Sequence, residues 1–263
     1  SEMCIRDSIN SDAKIINRLG SNALANYLLV NKGVYATDED VPVNPATGER
    51  MKAANNKNNG YVYMQAGDPI WVDVNGDYII DDKDKVVVGN SQPRLTGGFN
   101  ANLRYKSFSI NTNFSFTIKR DIINKALADR FAAYGNPLSK DLNGSGAITP
   151  IEAFDFWKED HIYAKYPNPF DYIRGGTADH QVNFFRPDQT LFMEDGSFLK
   201  INGVSISYVL PKKVLDFLRV ERVQLNASVN NIYTFSKYSG VNPENVNSLG
   251  YDVSGGYPNS RNY

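Results

Sequence analysis

Apolar and polar residues alternate almost without a break from Phe99 to Lys119, and the alternation is interrupted only at Lys106-Ser107. Because side chains on a β-strand point to opposite faces in turn, a period of two predicts a hairpin of two strands. One face of this hairpin is apolar and aromatic, whereas the other carries Asn, Ser and Thr. The second strand has the length of about 9–11 residues that a tilted strand needs to cross a bilayer. The pattern fits either a barrel with an apolar exterior and a wet lumen or a soluble sandwich with the two faces reversed.

Composition excludes several classes of protein. The 263 residues contain 28 Lys and Arg against 29 Asp and Glu, so the net charge of −1 provides no basic field for nucleic acid. No apolar run approaches the ~18 residues of a spanning helix, so any membrane crossing would be made by strands. The single cysteine, Cys4, excludes a disulfide framework. The histidines, His161 and His180, have no metal-ligand or triad spacing, and no phosphate-binding or nucleophile motif is present. We therefore predict that the chain is not an enzyme.

Two later segments repeat the alternation of the hairpin. They are Phe198 to Leu210 and Val223 to Asn231, and we predict a strand over each. Residues 1–8 fit nothing that follows and are interpreted as a non-native flank. The stretch from Gly255 to Tyr263 has the composition of a loop that would lead to a further strand. We expect residues 9–263 to be the folded part of a longer protein.

A long insertion separates the hairpin from the later strands. Residues 119–190 are rich in Asn, Pro and Gly, and they are too many for a simple connection in a compact domain. Long loops often carry binding surfaces. The aromatic residues of this loop are candidates for contact with a ligand or partner; they are Trp157, Tyr163, Tyr166 and Tyr172. The favoured alternative is that they pack the loop onto itself, because a long loop needs some core of its own.

The segment from Asp73 to Asp84 has the chemistry of a calcium site. Oxygen-bearing groups recur at the spacing of a ~12-residue calcium loop, with the predicted ligands Asp73, Asn75, Asp77, the carbonyl of Ile79, Asp81 and Asp84. Tyr78 stands where such a loop has Gly, and Asp84 is shorter than the usual bidentate Glu. A turn rich in Asp, Asn and Gly because these residues tolerate left-handed backbone is the alternative. We predict structural Ca²⁺ as the only cofactor.

Several linked motifs carry a family resemblance. Gly67-Asp-Pro-Ile-Trp-Val-Asp73, Val88-Gly-Asn-Ser-Gln-Pro93, Glu194-Asp-Gly-Ser-Phe-Leu199 and Val229-Asn-Asn-Ile-Tyr233 occur in one order along the chain. This order resembles the late barrel strands of TonB-dependent outer-membrane transporters of the SusC/RagA type. The resemblance covers roughly residues 60 to 263 and is far more specific than the acidic loop alone.

The resemblance implies an all-β fold: the C-terminal part of a 22-stranded transmembrane antiparallel barrel, with long extracellular loops and short helices. Residues 9–263 would be a partial barrel without the plug domain and the closing strand, and residues 119–190 would be an extracellular loop. The implied partners are a SusD-like lipoprotein, TonB through an N-terminal region outside this chain, outer-membrane lipid, and an oligosaccharide or peptide substrate. The implied location is the outer membrane of a Gram-negative, Bacteroidetes-like bacterium.

Two functions from different classes follow. In the first, the chain is part of a nutrient importer, and its lipid-facing residues include Phe108, Ile110, Phe114 and Phe116. In the second, the chain is a secreted or cell-surface β domain that binds carbohydrate and is stabilised by calcium. The two hypotheses differ in whether the aromatic face of the hairpin contacts lipid or a protein core.

Overall fold

The computed structural model describes residues 8–9, 15–17, 25–55, 60–134, 151–170, 182–247 and 250–252. The chain forms two compact units. The first, called the sheet unit, consists of Gln92–Ile122 and Glu194–Asn245. The second, called the loop unit, consists of the described parts of Ser1–Ser91, Ile123–Met193 and Val246–Gly255.

Strands dominate the described residues. They are β1 (Ser8–Ile9), β2 (Ile15–Asn17), β3 (Ala25–Leu29), β4 (Asn31–Val34), β5 (Lys52–Asn55), β6 (Gly60–Tyr63), β7 (Pro69–Trp71), β8 (Ile79–Ile80), β9 (Lys85–Asn90), β10 (Leu95–Tyr105), β11 (Phe108–Ile118), β12 (Asp121–Ile123), β13 (Met193–Asp195), β14 (Phe198–Val209) and β15 (Gln224–Ser236). The α-helices are α1 (Lys125–Tyr134) and α2 (Lys212–Leu218), and short 3-10 helices occur at Asp38–Asp40, Asp82–Asp84, Ile151–Ala153 and Thr190–Phe192. No helix within these described ranges is long and apolar enough to cross a membrane.

The sheet unit is built on one antiparallel sheet with the strand order β10, β11, β14, β15. β10 and β11 pair over their full length, with Tyr105 opposite Phe108 beside the Lys106-Ser107 turn. β14 pairs with β11, and β15 pairs with β14. The all-β prediction is confirmed, and so are the predicted hairpin and the two later strands; β14 ends one residue before its predicted end, and β15 continues to Ser236, beyond the predicted end at Asn231.

A bulge in β14 changes the phase of the side-chain alternation. Asn113 of β11 lies opposite Gly203, whereas the next residue, Phe114, lies opposite Ile201, so Asn202 is an extra residue. Such a bulge leaves one residue outside the ladder and bends the strand. As a result, Ile201 and Val204 lie on the same face even though their sequence positions differ in parity.

The loop unit has two hydrophobic clusters that share β3. Leu28 belongs to a cluster around Phe131, whereas its neighbour Leu29 belongs to a cluster around Trp71. Phe184 and Phe185 divide in the same way, with Phe184 in the Trp71 cluster and Phe185 in the Phe131 cluster. Because successive residues of an extended chain point to opposite sides, both segments are buried on two faces.

α1 lies within the segment expected to be an extracellular loop. Asn124 accepts a hydrogen bond from the backbone N–H of Leu127 at 3.0 Å and thereby caps the start of the helix. Leu127, Ala128 and Phe131 then bury one side of it. Phe131 packs edge-to-face against several rings of the cluster, among them Phe154, Phe156, Tyr166 and Phe185. Residues 119–190 therefore contribute a helix and much of a core rather than an open connection.

Gln189 joins the segment 184–190 to the β-strands of the loop unit. Its buried side-chain oxygen accepts hydrogen bonds from the Trp71 indole at 2.8 Å and from the Asn31 amide at 2.9 Å. Its amide nitrogen donates to the carbonyls of Phe184 and Arg186. A buried amide with all of these bonds made is stabilising, but it would be costly if any partner were lost.

Asp188, beside Gln189, anchors a buried ion network. Arg186 holds its carboxylate with two hydrogen bonds of 2.6 Å, and the Lys85 ammonium lies 2.7 Å away. The side chains of Lys85 and Asp188 are 1% and 6% exposed. Burial alone would raise the pKa of Asp188, but the hydrogen bonds and charges of Arg186 and Lys85 outweigh it and hold the pKa well below the ordinary range of a carboxyl group.

Replacing Asp188 with Asn is expected to lower the free energy of unfolding of the loop unit by about 3 kcal/mol, because it leaves buried cations without their carboxylate. Lys85 still contacts Asp82 at 2.8 Å, so the lower end of the usual range applies. Denaturant unfolding followed by the fluorescence of Trp71 and Trp157 measures the loss. Asp155→Asn, at the exposed pair with His161, is the control and should change the midpoint little.

The same network predicts a pH dependence. A carboxyl group whose pKa is lowered on folding contributes stability that is present above its unfolded pKa of about 4 and is lost as the pH falls towards its folded pKa. The stability difference between the wild-type chain and Asp188→Asn should therefore be constant above about pH 5 and shrink below about pH 4. A difference that stays unchanged down to pH 2 would contradict this role for Asp188.

Candidate functional site

One face of the sheet unit is apolar from end to end. The ladders place residues of equal height opposite one another, so this face consists of rows that run across the strands. We call it the apolar face, and its rows, taken towards the Lys106-Ser107 turn, are Phe116, Leu199 and Phe235; Phe99, Phe114, Ile201 and Tyr233; Ala101, Thr112, Val204 and Val229; Leu103, Ile110, Ile206 and Ala227; and Tyr105, Phe108, Tyr208 and Leu225.

Aromatic rings concentrate at the two ends of the apolar face. Phe99 stacks on Phe114 with ring centroids 4.5 Å apart, and at the other end Phe108 packs on Tyr208 at 4.4 Å. The rows between them are aliphatic or small. Phe116 and Phe108 lie eight residues apart on β11, which corresponds to about 26 Å along the strand or roughly 20 Å after the usual barrel tilt. This span is close to the ~25 Å apolar band between the aromatic girdles of transmembrane barrels.

Much of the apolar face is uncovered. Leu103 and Tyr105 are 64% and 66% exposed, and every residue of β10 is in the exposed class. The predicted lipid-facing residues lie together on this face: Phe108 and Ile110 are exposed, and Phe114, which stacks on Phe99, and Phe116 are half-buried. Residues of β14 and β15 complete the face, although only the hairpin residues were singled out from the sequence.

The opposite face of the sheet unit is polar, and its only charged residues within the four described strands are the basic Arg104 and Lys200. It presents Asn100, Asn102, Asn111, Asn113, Ser205, Ser207, Asn226, Ser228 and Asn230. Ser207 donates a hydrogen bond to Asn226 at 2.8 Å, and Gln224 donates to the same oxygen at 2.9 Å. None of the four strands contains Asp or Glu. The face therefore offers amides and hydroxyls, which bind neutral polar groups and water.

Hydrogen bonds from its own backbone fold the predicted calcium loop. Asp73 accepts from the N–H groups of Gly76 at 2.7 Å and Tyr78 at 2.8 Å, and Asp77 accepts from Ile79 at 2.8 Å. Tyr78 has a φ of 63°, the left-handed conformation that Gly would adopt at this position of a calcium loop. Tyr78 therefore provides the turn that the loop requires, at a cost in backbone strain.

The second half of the loop depends on Asp84. This fully buried carboxylate accepts hydrogen bonds from the N–H groups of Val74 at 2.9 Å and Asp81 at 2.8 Å. Burial raises the pKa of Asp84, although the hydrogen bonds from the backbone oppose the shift. Asp81 caps the 3-10 helix Asp82–Asp84 by accepting from the Lys83 N–H at 2.7 Å.

The oxygens predicted as calcium ligands thus share one loop, and each described carboxylate has backbone amides as partners. In the part of the chain that the structure describes, no three Asp, Glu, His or Cys side chains are grouped so that they could hold a metal ion. The hydrogen bonds account for the loop's conformation without an ion. Calcium binding by Asp73, Asn75, Asp77, Ile79, Asp81 and Asp84 stays a prediction.

The loop aromatics occupy very different environments. Tyr166 is buried in the Phe131 cluster, and Trp157 is buried with its indole N–H donating to the carbonyl of Ala36 at 3.2 Å. Burial leaves almost no ring surface of these two residues for a ligand, so packing is their structural role. Tyr163 is 82% exposed. Tyr172 lies outside the described residues, and a role in ligand contact stays a prediction for it and for Tyr163.

Replacing Asp84 with Ala is expected to lower the free energy of unfolding by about 1–3 kcal/mol, because two amide N–H groups in a buried setting lose their acceptor. Asp77→Ala is the matched control: Asp77 also accepts two hydrogen bonds, but in an exposed setting where water replaces it. Thermal unfolding in a chelator compares the variants. Repeating the melts with Ca²⁺ tests the ion separately, since an excess of about 100 times Kd would add about 2.7 kcal/mol.

Comparison with curated proteins finds relatives that are named TonB-dependent receptors. No family model matches the sequence. TonB-dependent receptor P3 of Formosa agariphila is 26% identical over 208 residues, which cover 75% of this chain and 18% of that protein. TonB-dependent receptor P39 of the same organism is 27% identical over 198 residues, which cover 74% of this chain and 17% of that protein. The chain thus spans less than a fifth of the length of these relatives.

Solved structures of the RagAB importer share the fold. The RagAB peptide transporter matches with a TM-score of 0.60 and 19% identity, over 98% of this chain and 24% of the solved chain. The open-open state of the RagAB peptide importer matches with the same TM-score and 16% identity, over 99% of this chain and 24% of the solved chain. The named relatives are receptors and importers, which confirms the interpretation of the chain as non-enzymatic. The resemblance predicted from the motifs is likewise confirmed, since this chain is similar in sequence to proteins named TonB-dependent receptors and shares its fold with RagAB.

Proposed function

We propose that this chain forms part of the barrel wall of an outer-membrane nutrient importer of the SusC/RagA type. The observation that carries the proposal is the opposition of an apolar and a polar face on strands of 11 to 13 residues. Strands of this length can cross a bilayer at a tilt. The related TonB-dependent receptors and the fold shared with the RagAB importer support the same assignment.

Lipid is the proposed environment of the apolar face. Phe108, Ile110, Phe114 and Phe116 would contact acyl chains together with the matching rows of β10, β14 and β15. The aliphatic middle and aromatic ends of the face suit the hydrocarbon core and the two interfaces of a bilayer. The alternative, a secreted carbohydrate-binding domain, needs this face to be a protein core. Residues such as Leu103 and Tyr105, which remain about two-thirds exposed, weigh against it.

The connections of the sheet suggest its orientation. The Lys106-Ser107 turn and the link from β14 to β15 lie at one end, and the longer segments that follow Ile118 and Ser236 leave from the other. Outer-membrane barrels have short periplasmic turns and long extracellular loops. We therefore assign the Lys106 end to the periplasm and the segment 119–190 to the cell exterior.

The polar face would line the lumen. Its amides and hydroxyls suit substrates that are rich in neutral hydrogen-bonding groups, and the sequence resemblance implies oligosaccharide or peptide fragments. Both classes present hydroxyl or amide groups to such a wall. The absence of acidic residues from the four strands makes this part of the wall unsuited to binding cations.

The proposed assembly includes partners beyond this chain. A SusD-like lipoprotein would deliver substrate at the extracellular side, and TonB would supply energy through a region of the intact protein outside this chain. The proposed location is the outer membrane of a Gram-negative, Bacteroidetes-like bacterium. An antibody to Ser197–Tyr208 tests the location: a heat-modifiable outer-membrane band far heavier than this chain would support the proposal, whereas a soluble band of about its own mass would refute it.

Substituting Arg on the two faces should have opposite consequences. Phe114→Arg is expected to destabilise the barrel by about 2 kcal/mol or more, because it places a charge in the hydrocarbon region. Asn113→Arg, the neighbouring position on the polar face, is the matched control and should be tolerated. The measurement is the fraction of the intact protein that reaches the outer membrane in heat-modifiable form.

A soluble domain with the apolar face as its core would give the same ranking of the two variants, so the wild-type protein separates the two hypotheses. Wild-type protein that is folded and monodisperse in detergent-free buffer would replace the barrel with the soluble domain. Equal tolerance of both variants would also contradict a lipid-facing role for Phe114.

A further inference from the structure

α2 carries an apolar stripe that the protein leaves uncovered. At about 100° per residue, Phe217, Val214, Leu218 and Leu215 fall on one arc of about 160°, and the rest of the helix is Lys or Asp. Only Leu215 is buried. Phe217 is 86% exposed, and Val214 and Leu218 are also in the exposed class. A short helix with this pattern would normally bury the whole stripe.

The helix is held firmly at the end of the sheet. Arg219 adopts a left-handed conformation and closes α2 by donating its N–H towards the carbonyls of Asp216 and Leu215. The N–H of Leu210 donates to the carbonyl of Val223 at 3.1 Å and joins the two ends of the connection. The N–H of Val209 donates to the carbonyl of Ser107 at 3.0 Å and ties it to the β10–β11 turn. The uncovered stripe therefore belongs to a built element and not to a free loop.

The stripe lies at the end of the sheet that carries the last row of the apolar face. The connection leaves β14 after Val209 and enters β15 at Gln224, beside the last row of that face, which consists of Tyr105, Phe108, Tyr208 and Leu225. Basic residues outnumber acidic ones in the connection and the neighbouring turn: Lys106, Lys212, Lys213, Arg219 and Arg222 stand against Asp216 and Glu221. Aromatic rings backed by Lys and Arg are typical of groups that sit where acyl chains meet phosphate headgroups.

We infer that α2 is an interfacial anchor: Phe217, Val214 and Leu218 insert into the periplasmic leaflet, and the surrounding Lys and Arg side chains contact anionic phospholipid headgroups. The inference rests on the proposed function, since it requires the adjoining apolar face to be in lipid. The position of the stripe at the end of the apolar face and the excess of positive charge favour a lipid leaflet as the occupant rather than a second protein. Interfacial helices of this kind enter the boundary by about 5–10 Å.

Site-specific fluorescence in the intact receptor tests the anchor. The receptor is reconstituted in nanodiscs that contain phosphatidylglycerol, with Cys4→Ser and any cysteine outside this chain removed, and single cysteines are labelled with an environment-sensitive dye. Phe217→Cys is the test position. Asp216→Cys, on the polar side of the same helix, is the matched control, and Ile206→Cys reports the middle of the apolar face. Lipids carrying a spin label near the headgroup or deep in the acyl chain act as quenchers.

The expected result is a blue-shifted emission at position 217 that the shallow spin label quenches more than the deep one, with little quenching at position 216. Quenching at position 206 without quenching at position 217 would overturn the anchor and leave the barrel assignment standing. Blue-shifted but unquenched emission at position 217 would also overturn it, because the stripe would then contact protein. Absence of quenching at both 206 and 217 would overturn the barrel assignment as well.

Discussion

The ladder between β11 and β14 is the contact on which the sheet unit depends, because these two central strands each pair on both edges. A hydrogen-bonded ladder satisfies the backbone and also fixes which side chains share a face. A slip of one residue would send every aromatic ring of β11 to the polar side. The separation of lipid-facing and lumen-facing chemistry is therefore a consequence of register, and composition alone would not produce it.

The loop unit obtains its order by a different route. Its strands are short, and β3 and residues 184–185 are buried on both sides, so these segments hold two clusters together. Burial on both sides leaves polar groups far from water. Gln189 and the Asp188 network supply hydrogen-bond and ion-pair partners for these groups. Such groups add rather little net stability when paired but cost much when a partner is lost. They fix which segments meet, whereas the aromatic clusters supply most of the favourable burial.

Sequence patterns predicted the sheet unit well and the loop unit poorly, for physical reasons. In a strand with one polar and one apolar face, polar and apolar residues alternate along the sequence, as they do in the hairpin from Phe99. Leu28 and Leu29 give no such signal, since both are buried. α1 was missed, although Asn124 as a cap and the spacing of Leu127, Ala128 and Phe131 would have indicated it. Leu199 and Ile201 were not assigned to the apolar face because the phase of β14 changes at Asn202. Whether each aromatic residue of the loop is buried or exposed depends on tertiary packing, which the spacing of residues in the sequence does not encode.

The bulge at Asn202 has a consequence for how this part of the chain can evolve. The extra residue lets odd-numbered apolar positions before it share a side with even-numbered ones after it. The number of extra residues at this height increases across the sheet. Asn113 and Phe114 are adjacent in β11, whereas their partners in β14 are separated by Asn202, and the corresponding residues of β15 are separated by Asn231 and Ile232. Loss of one residue here would move the side chains of half of β14 to the opposite face of the sheet while leaving the composition of the strand almost unchanged. Insertions and deletions in this stretch should therefore be tolerated far less than substitutions that keep the apolar or polar character of each position, although Gly203 leaves little room for a side chain beside Asn230.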